Sequence, residues 1–366
     1  MGKEITMTPL ERALQKEVKE GRVVCRKHPK EELYIYNYTK KTQIDRLWNE
    51  TNKLARGLIL DFKGNVVVRP FAKFFDQADN VPDEPCEITE KLDGSLGIVY
   101  QVRDDVFIAT RGSFDSEQAI EANKILQTQK SCGKTLKEIL LSRPVKHVTY
   151  LFEIIYPENR IVVDYGSGRR LIFLDAIETD TGTSLSTERE HMRRLLPEDH
   201  SRVVFSGWYN SEACKEAIAS YLSQQNIEGL VVSFPLSNVR WKIKAEPYVV
   251  AHKIKYQYTD KHIWKILSGK EDGDINQIIA LCVDDEQKKR IQDAISTMLS
   301  KFEIHRKYVE EVRNVVKDFG SQKEIALYLQ SECPDIASCV FSALKGKDYS
   351  KMIWDRIEPK GEQDDV

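Results

Sequence analysis

Two hydrophobic rhythms divide this chain. Between residue 33 and about residue 249, short apolar or alternating runs recur between turn signals, at 33–38, 57–61, 66–69, 106–110, 148–155, 171–176, 230–233 and 240–244. Such runs predict β-strands. Beyond 249 the spacing lengthens. Ile291, Ile295, Met298, Phe302, Val309, Val312 and Val316 recur at three-, four- and seven-residue intervals, which predicts one long amphipathic helix, or two in sequence, over 284–318. Further helices are expected over 321–333, 334–344 and 350–357, before a polar tail at 359–366. At the other end, Thr8-Pro9 supplies an N-cap and an N1 proline for a helix with Leu10, Leu14 and Val18 on one face. Three helices interrupt the strand rhythm, at 115–129 with Ser116 as cap, at 187–196, and at 212–225 with Ile218 and Leu222 at helical spacing. The pattern predicts an α+β domain on largely antiparallel sheets over 1–254, then an all-α C-terminal domain over 255–366. That boundary rests on the change of periodicity.

Length and charge narrow the classes. A chain of 366 residues suffices for two or three domains with real cores. Its 55 basic and 57 acidic residues leave a net charge of −2, so a polyanionic partner must be met by a local basic surface. No apolar stretch reaches membrane-spanning length and no signal-peptide core opens the chain, so no membrane partner is expected. The seven cysteines form no Cys-x-x-Cys pair and no zinc spacing. Reduced thiols in the cytoplasm, or alternatively the nucleus, are the reading.

Several charged residues sit inside or beside apolar runs, where charge is seldom placed without a purpose. Lys91-Leu92-Asp93-Gly94-Ser95 lies at a tight strand-to-strand connection, where Gly94 admits a positive φ or the close approach of a ligand. Alone, Lys-x-Asp-Gly occurs by chance in roughly one chain in ten of this length. Glu153 lies between Phe152 and Ile154, and so points away from both. Glu228 precedes Gly229, and Lys242 and Lys244 alternate with Trp241 and Ile243. Edge-strand lysines are usually protection against aggregation. Convergence changes that reading: Arg56, Lys73, Lys242 and Lys244 with Glu153, Glu228 and a lysine at a glycine turn make a pocket suited to a triphosphate, a ribose and a metal ion.

The order of these elements resembles the covalent nucleotidyltransferase superfamily of ATP-dependent ligases and capping enzymes. Within it, the chain resembles the phage-type RNA ligase 1 family: Tyr36-Asn37-Tyr38, Arg69-Pro70 with Lys73-Phe74-Phe75, Gly112-Ser113 before Ser116-Glu117-Gln118-Ala119, Asn159-Arg160-Ile161-Val162 and Asn226-Ile227-Glu228-Gly229 all look like that family. The resemblance implies a nucleotidyltransferase fold, an ATP-grasp-like ligase core. Lys91 would attack the α-phosphate of ATP to form lysyl-AMP, which requires a neutral amine. Arg56 and Lys73 would contact the phosphates, Tyr36 would line the same site, and Glu153 would bind the ribose or orient a metal-water cluster. Glu228 would belong to the nucleotide site, and Lys242 and Lys244 would stabilise charge on the α-phosphate. Tyr248 matches a tyrosine that the family needs for ligation, and Asp272 lies near its distal metal ligand. Mg²⁺ or Mn²⁺ is the implied cation, held mainly by phosphate oxygens and water. Arg111 departs from the family's lysine, and Ala109 from a second basic residue.

The implied reaction is ATP-dependent joining of RNA 5′-phosphate and 3′-hydroxyl ends through lysyl-AMP and RNA-adenylate, with repair of a cleaved tRNA as the expected setting and end healing left to a separate enzyme. Two alternatives stand beside it: a capping-type guanylyltransferase, and a non-catalytic RNA-end-binding protein. The helical appendage favours RNA ligation, since DNA ligases and capping enzymes usually continue into a β-rich module. The Lys, Tyr and Trp residues between 253 and 265 are candidate RNA contacts.

Overall fold

The computed structural model describes residues 7–76, 80–256, 258–280 and 285–359. The chain divides into two compact units, Met1–Tyr248 and Val249–Val366. The first is α+β.

Four antiparallel strands open it: β1 (Val23–Lys27), β2 (Leu33–Tyr38), β3 (Arg56–Asp61) and β4 (Val66–Val68), paired in chain order. The helix Pro9–Lys19, capped by the Thr8 hydroxyl and started by Pro9, covers one face. Leu14 packs there with Val23, Tyr36, Leu58 and Leu60. Next come β5 (Phe75–Asp76), β6 (Pro85–Lys91), β7 (Ser95–Val102) and β8 (Asp105–Ala109), then a two-strand hairpin of β9 (Lys130–Ser131) and β10 (Lys134–Thr135). β11 (Val148–Ile155), β12 (Arg170–Glu178), β13 (Val203–Trp208), β14 (Gly229–Phe234) and β15 (Val239–Lys244) complete the set. β1 and β13 lay outside the expected runs; each carries polar residues that blur the alternation.

Two further sheets build the site. One runs β12-β11-β7-β8 and the other β13-β6-β14-β15-β5. Among the described strands, β15 and β5 pair in parallel. In β11 every residue but Glu153 is buried, because Tyr150, Phe152 and Ile154 pack on helices while Leu151 packs against the opening sheet. In the other sheet Ile88, Leu230, Val232 and Trp241 pack with Cys214 and Tyr221 of the helix Glu212–Leu222. Alternation sends the residues between them, Thr89, Val231 and Lys242, to the opposite face.

The second unit is helical. Asp285–Val316 is a single helix, so the first of the two sequence readings holds. Val309, Val312 and Val316 pack with Leu329, Val340 and Ile353, and Ile291 and Met298 with Ile263 and Trp264. Trp264 is core rather than an RNA contact: it is buried and its indole N–H donates to the Trp354 carbonyl at 2.8 Å. Lys255 and Tyr256, from the same candidate stretch, lie outside the side chains described. Among the described residues no helix is long and apolar enough to cross a membrane.

Candidate active site

Lys91 ends β6, and Leu92–Gly94 carries the chain out of one sheet and into β7 of the other. The glycine turn is therefore a crossing between sheets, not a hairpin within one. Gly94 is needed for space and not for an unusual φ. A Cβ there would stand 2.6 Å from the Ile154 carbonyl oxygen and 3.1 Å from Glu153 Cγ. Its N–H donates to Glu153 Oε1 at 3.0 Å. Asp93 clamps the same turn. One of its oxygens accepts from Val162 N and Val163 N at 2.7 and 2.8 Å, and the other from the Tyr248 hydroxyl at 2.7 Å.

Strand register brings the remaining groups to Lys91. Gly229 pairs with Lys91 on one side and with Lys244 on the other. Its φ is +150°, and a Cβ would come within 2.1 Å of the Ile243 carbonyl oxygen, so only glycine fits between the two lysines. Glu228, one residue earlier and buried, accepts from Lys91 Nζ at 2.7 Å and has Lys244 Nζ at 3.6 Å. Arg240, Lys242 and Lys244 alternate along β15 and all line one cleft with Lys91, Glu153 and Glu228. Arg56, Lys73, Tyr38 and Arg111 line it too.

The electrostatics follow from packing so many charges out of water. Burial pushes the Glu153 carboxyl up to about 7, against the pull of Lys91 and with Glu228 adding to the rise. Burial also raises Glu228, opposed by Lys91. Burial, with Lys73 beside it, brings Lys242 down to about 8. Arg56 is incompletely satisfied: its buried Nη1 has no hydrogen-bond partner and its guanidinium lies 5.7 Å from the Phe74 ring. A buried, unpaired N–H costs about 1–3 kcal/mol. A cleft lined by Arg56, Lys73, Lys91, Arg111, Arg240, Lys242 and Lys244, with such a donor unpaired, fits a polyphosphate.

Among the described residues, no group of three or more His, Cys, Asp or Glu is placed to hold a metal ion. Glu153 and Glu228 are the two carboxylates beside Lys91, a sparse donor set that suits a cation carried in largely by phosphate and water.

Two of the expected site residues, Tyr36 and Tyr248, do not line this cleft. Tyr36 lies under the first helix, where Gln15 Nε2 donates to its hydroxyl at 3.2 Å. Tyr38 lines the cleft instead, at the strand's end beyond that apolar cover, with Arg111 Nη1 donating to its hydroxyl at 2.8 Å. Tyr248 is buried and does not line the cleft. It braces Asp93, and Lys244 Nζ lies 5.0 Å from its ring centre. Asp272 belongs to the second unit, in the exposed segment between the helices Asp260–Leu267 and Ile275–Ala280.

Sequence reading missed the polar floor of the cleft. Arg240 Nη2 donates to Asp175 at 2.9 Å, Arg193 grips Glu87 at 2.8 Å, and Arg189 stands between both acids. Arg240 was legible, being two residues before Lys242 on an alternating strand. Arg189 and Glu87, distant in sequence, were not.

The model of the RNA ligase family matches residues 54–258, more than half of the chain. This chain belongs to the phage-type RNA ligase family. The matched span contains Arg56, Lys73, Lys91, Glu153, Glu228, Lys242 and Lys244, the residues that converge on the cleft. A relative of this ligase chain, the RNA ligase of Rhodothermus phage RM378, is 22% identical, covering 93% of this chain and 92% of its own. Among solved structures, an archaeal ATP-dependent RNA ligase aligns with 17% identity and a TM-score of 0.48 over 78% of this chain and 75% of its own. An RNA ligase of Naegleria gruberi, determined with ATP and Mn, aligns at 20% identity and a TM-score of 0.37 over 46% and 52%.

Proposed function

We propose that this RNA ligase uses ATP, and that Lys91 carries AMP as a phosphoramidate before passing it to an RNA 5′-phosphate. The observation that carries the reading is Lys91 Nζ held 2.7 Å from buried Glu228, in a cleft walled by Arg56, Lys73, Lys242 and Lys244. Lys91 must shed a proton to attack. Glu228, whose hold on a proton is strengthened by burial, is the acceptor at hand. As Nζ bonds to the α-phosphorus, the bridging P–O bond breaks and its electron pair leaves with pyrophosphate. Fixed cations stabilise that charge without reorganising. Glu153 and Glu228 would hold Mg²⁺ or Mn²⁺ together with phosphate oxygens, and the ion supplies charge neutralisation when bound.

The RNA ends are then a 5′-phosphate, activated by AMP, and a 3′-hydroxyl that displaces it. Cleaved tRNA is the substrate we favour, with ends prepared by a separate enzyme. Tyr248 and Asp93 hold the turn through which the chain crosses between sheets, so Tyr248 serves ligation by positioning. Incubation with α-labelled ATP and Mg²⁺ should label the protein covalently, and Lys91→Ala should abolish the label. A wild type that takes no label, after pyrophosphate treatment to strip any AMP already bound, refutes the reading. Labelling from GTP in preference to ATP would point to capping, and RNA binding without strand joining to an end-binding protein.

A further inference from the structure

Lys73 is the cleft cation with the most unusual surroundings. Its Nζ lies 5.3 Å from the ring centre of Tyr38, 5.2 Å from Trp48 and 5.6 Å from Phe75. Trp48 closes this cage, meeting Tyr38 edge-on at 4.9 Å and Phe75 at 5.4 Å. Among the described residues no carboxylate acts on Lys73, whose charge is favoured instead by the Tyr38 side chain. Ring faces orient an ammonium without cancelling its charge. A carboxylate in their place would take the charge that a phosphate needs.

A buried polar hub places Trp48. Its turn is held by Asn52 Nδ2, which donates to the Leu47 carbonyl at 2.8 Å and to Glu17 at 3.1 Å. Asn49 Nδ2 donates to Glu17 at 3.0 Å. Arg22 binds the same carboxylate at 2.6 and 2.9 Å and, as the largest influence, helps hold it down to about 2. Lys73 itself is tied back, its N–H donating to the Lys53 carbonyl at 2.8 Å.

Sheet order places the cage relative to Lys91. Lys91 ends β6, and Lys73 stands two residues before β5, three strands away across β14 and β15. At about 4.8 Å per strand the backbones are roughly 14 Å apart, a span that two lysine side chains and a triphosphate can bridge. In an in-line displacement the leaving group departs away from the nucleophile. The far edge of the sheet is that side.

We propose that Trp48 is the positioning residue for Lys73, and that the caged ammonium receives the charge developing on departing pyrophosphate. Trp48 therefore governs self-adenylylation and not phosphodiester closure. In closure the bond forms between the 3′-oxygen and the 5′-phosphorus, AMP leaves with the electron pair, and no pyrophosphate is present for Lys73 to meet. The inference rests on the ATP reading above.

The test measures single-turnover formation of labelled protein from α-labelled ATP beside sealing of a chemically pre-adenylylated RNA. Trp48→Leu should slow self-adenylylation about three- to thirtyfold, the range of a cation–π contact converted to rate. Trp48→Phe should recover most of that loss, and sealing of pre-adenylylated RNA should be unaffected by either. Equal losses in both steps, or equal behaviour of leucine and phenylalanine, overturns the proposal. Fluorinated tryptophan, which weakens the ring's attraction while keeping its shape, covers a leucine variant that does not fold. It should slow labelling of the wild-type sequence but leave Trp48→Phe unchanged, and identical slowing of both overturns the proposal. Absence of label in every protein, wild type included, refutes the ATP reading and is distinguishable from these outcomes.

Discussion

Self-adenylylation should show a bell-shaped pH dependence set by two displaced groups of the cleft. Glu153 at about 7 must be ionised, and Lys242 at about 8 must be protonated. If both are required, the competent fraction is about 0.6 at pH 7.5 and about 0.09 at either pH 6 or pH 9, a roughly sevenfold fall on each side. The assay is single-turnover labelling at ATP well below saturation, because that regime reports the free enzyme. Two variants assign the limbs. Glu153→Gln has no carboxyl to titrate and should lose the acid limb while keeping the alkaline one, at a lower plateau. Lys242→Arg stays charged throughout and should lose the alkaline limb. A flat wild-type profile between pH 6 and pH 9, or an acid limb that persists unchanged in Glu153→Gln, refutes the reasoning.

The same carboxyl predicts a stability effect of known sign. Below about 4.5 Glu153 is protonated both folded and unfolded; above about 7 the folded protein holds a buried carboxylate that the unfolded chain keeps in water. Stability attached to a raised carboxyl is thus lost as pH rises, by about 3 kcal/mol in full. Glu153→Gln should melt above wild type at pH 8.5 and close to it at pH 4.5, as read by calorimetry; a variant less stable at pH 8.5 counts against the burial argument. Gly229→Ala should lose labelling and about 1–3 kcal/mol of stability to backbone strain, since its Cβ meets the Ile243 carbonyl. Retained labelling at wild-type rate would show that the Lys91–Gly229–Lys244 register is not needed.

How much of this was legible beforehand follows from the distance over which each signal acts. Strand rhythm in Val148–Ile155 and helix rhythm in Asp285–Val316 are local patterns, readable because burial of one face repeats every two or 3.6 residues. Glu153 was marked by its own neighbours. Its partner atom on Gly94 was not, because that contact joins residues 59 positions apart. Tyr36 and Tyr38 look equivalent in sequence, and only the helix that covers one of them separates their roles.

The sequence by itself determined the α+β and all-α halves, the lysine at a glycine turn, and seven of the charged residues that share the cleft. These depend on residue type and short spacing. The tertiary structure decided that Lys91 stands where the chain passes between two sheets, that Tyr248 braces Asp93, and that three rings surround Lys73. Each of those arises from strand register and from contacts between distant segments, which periodicity does not encode.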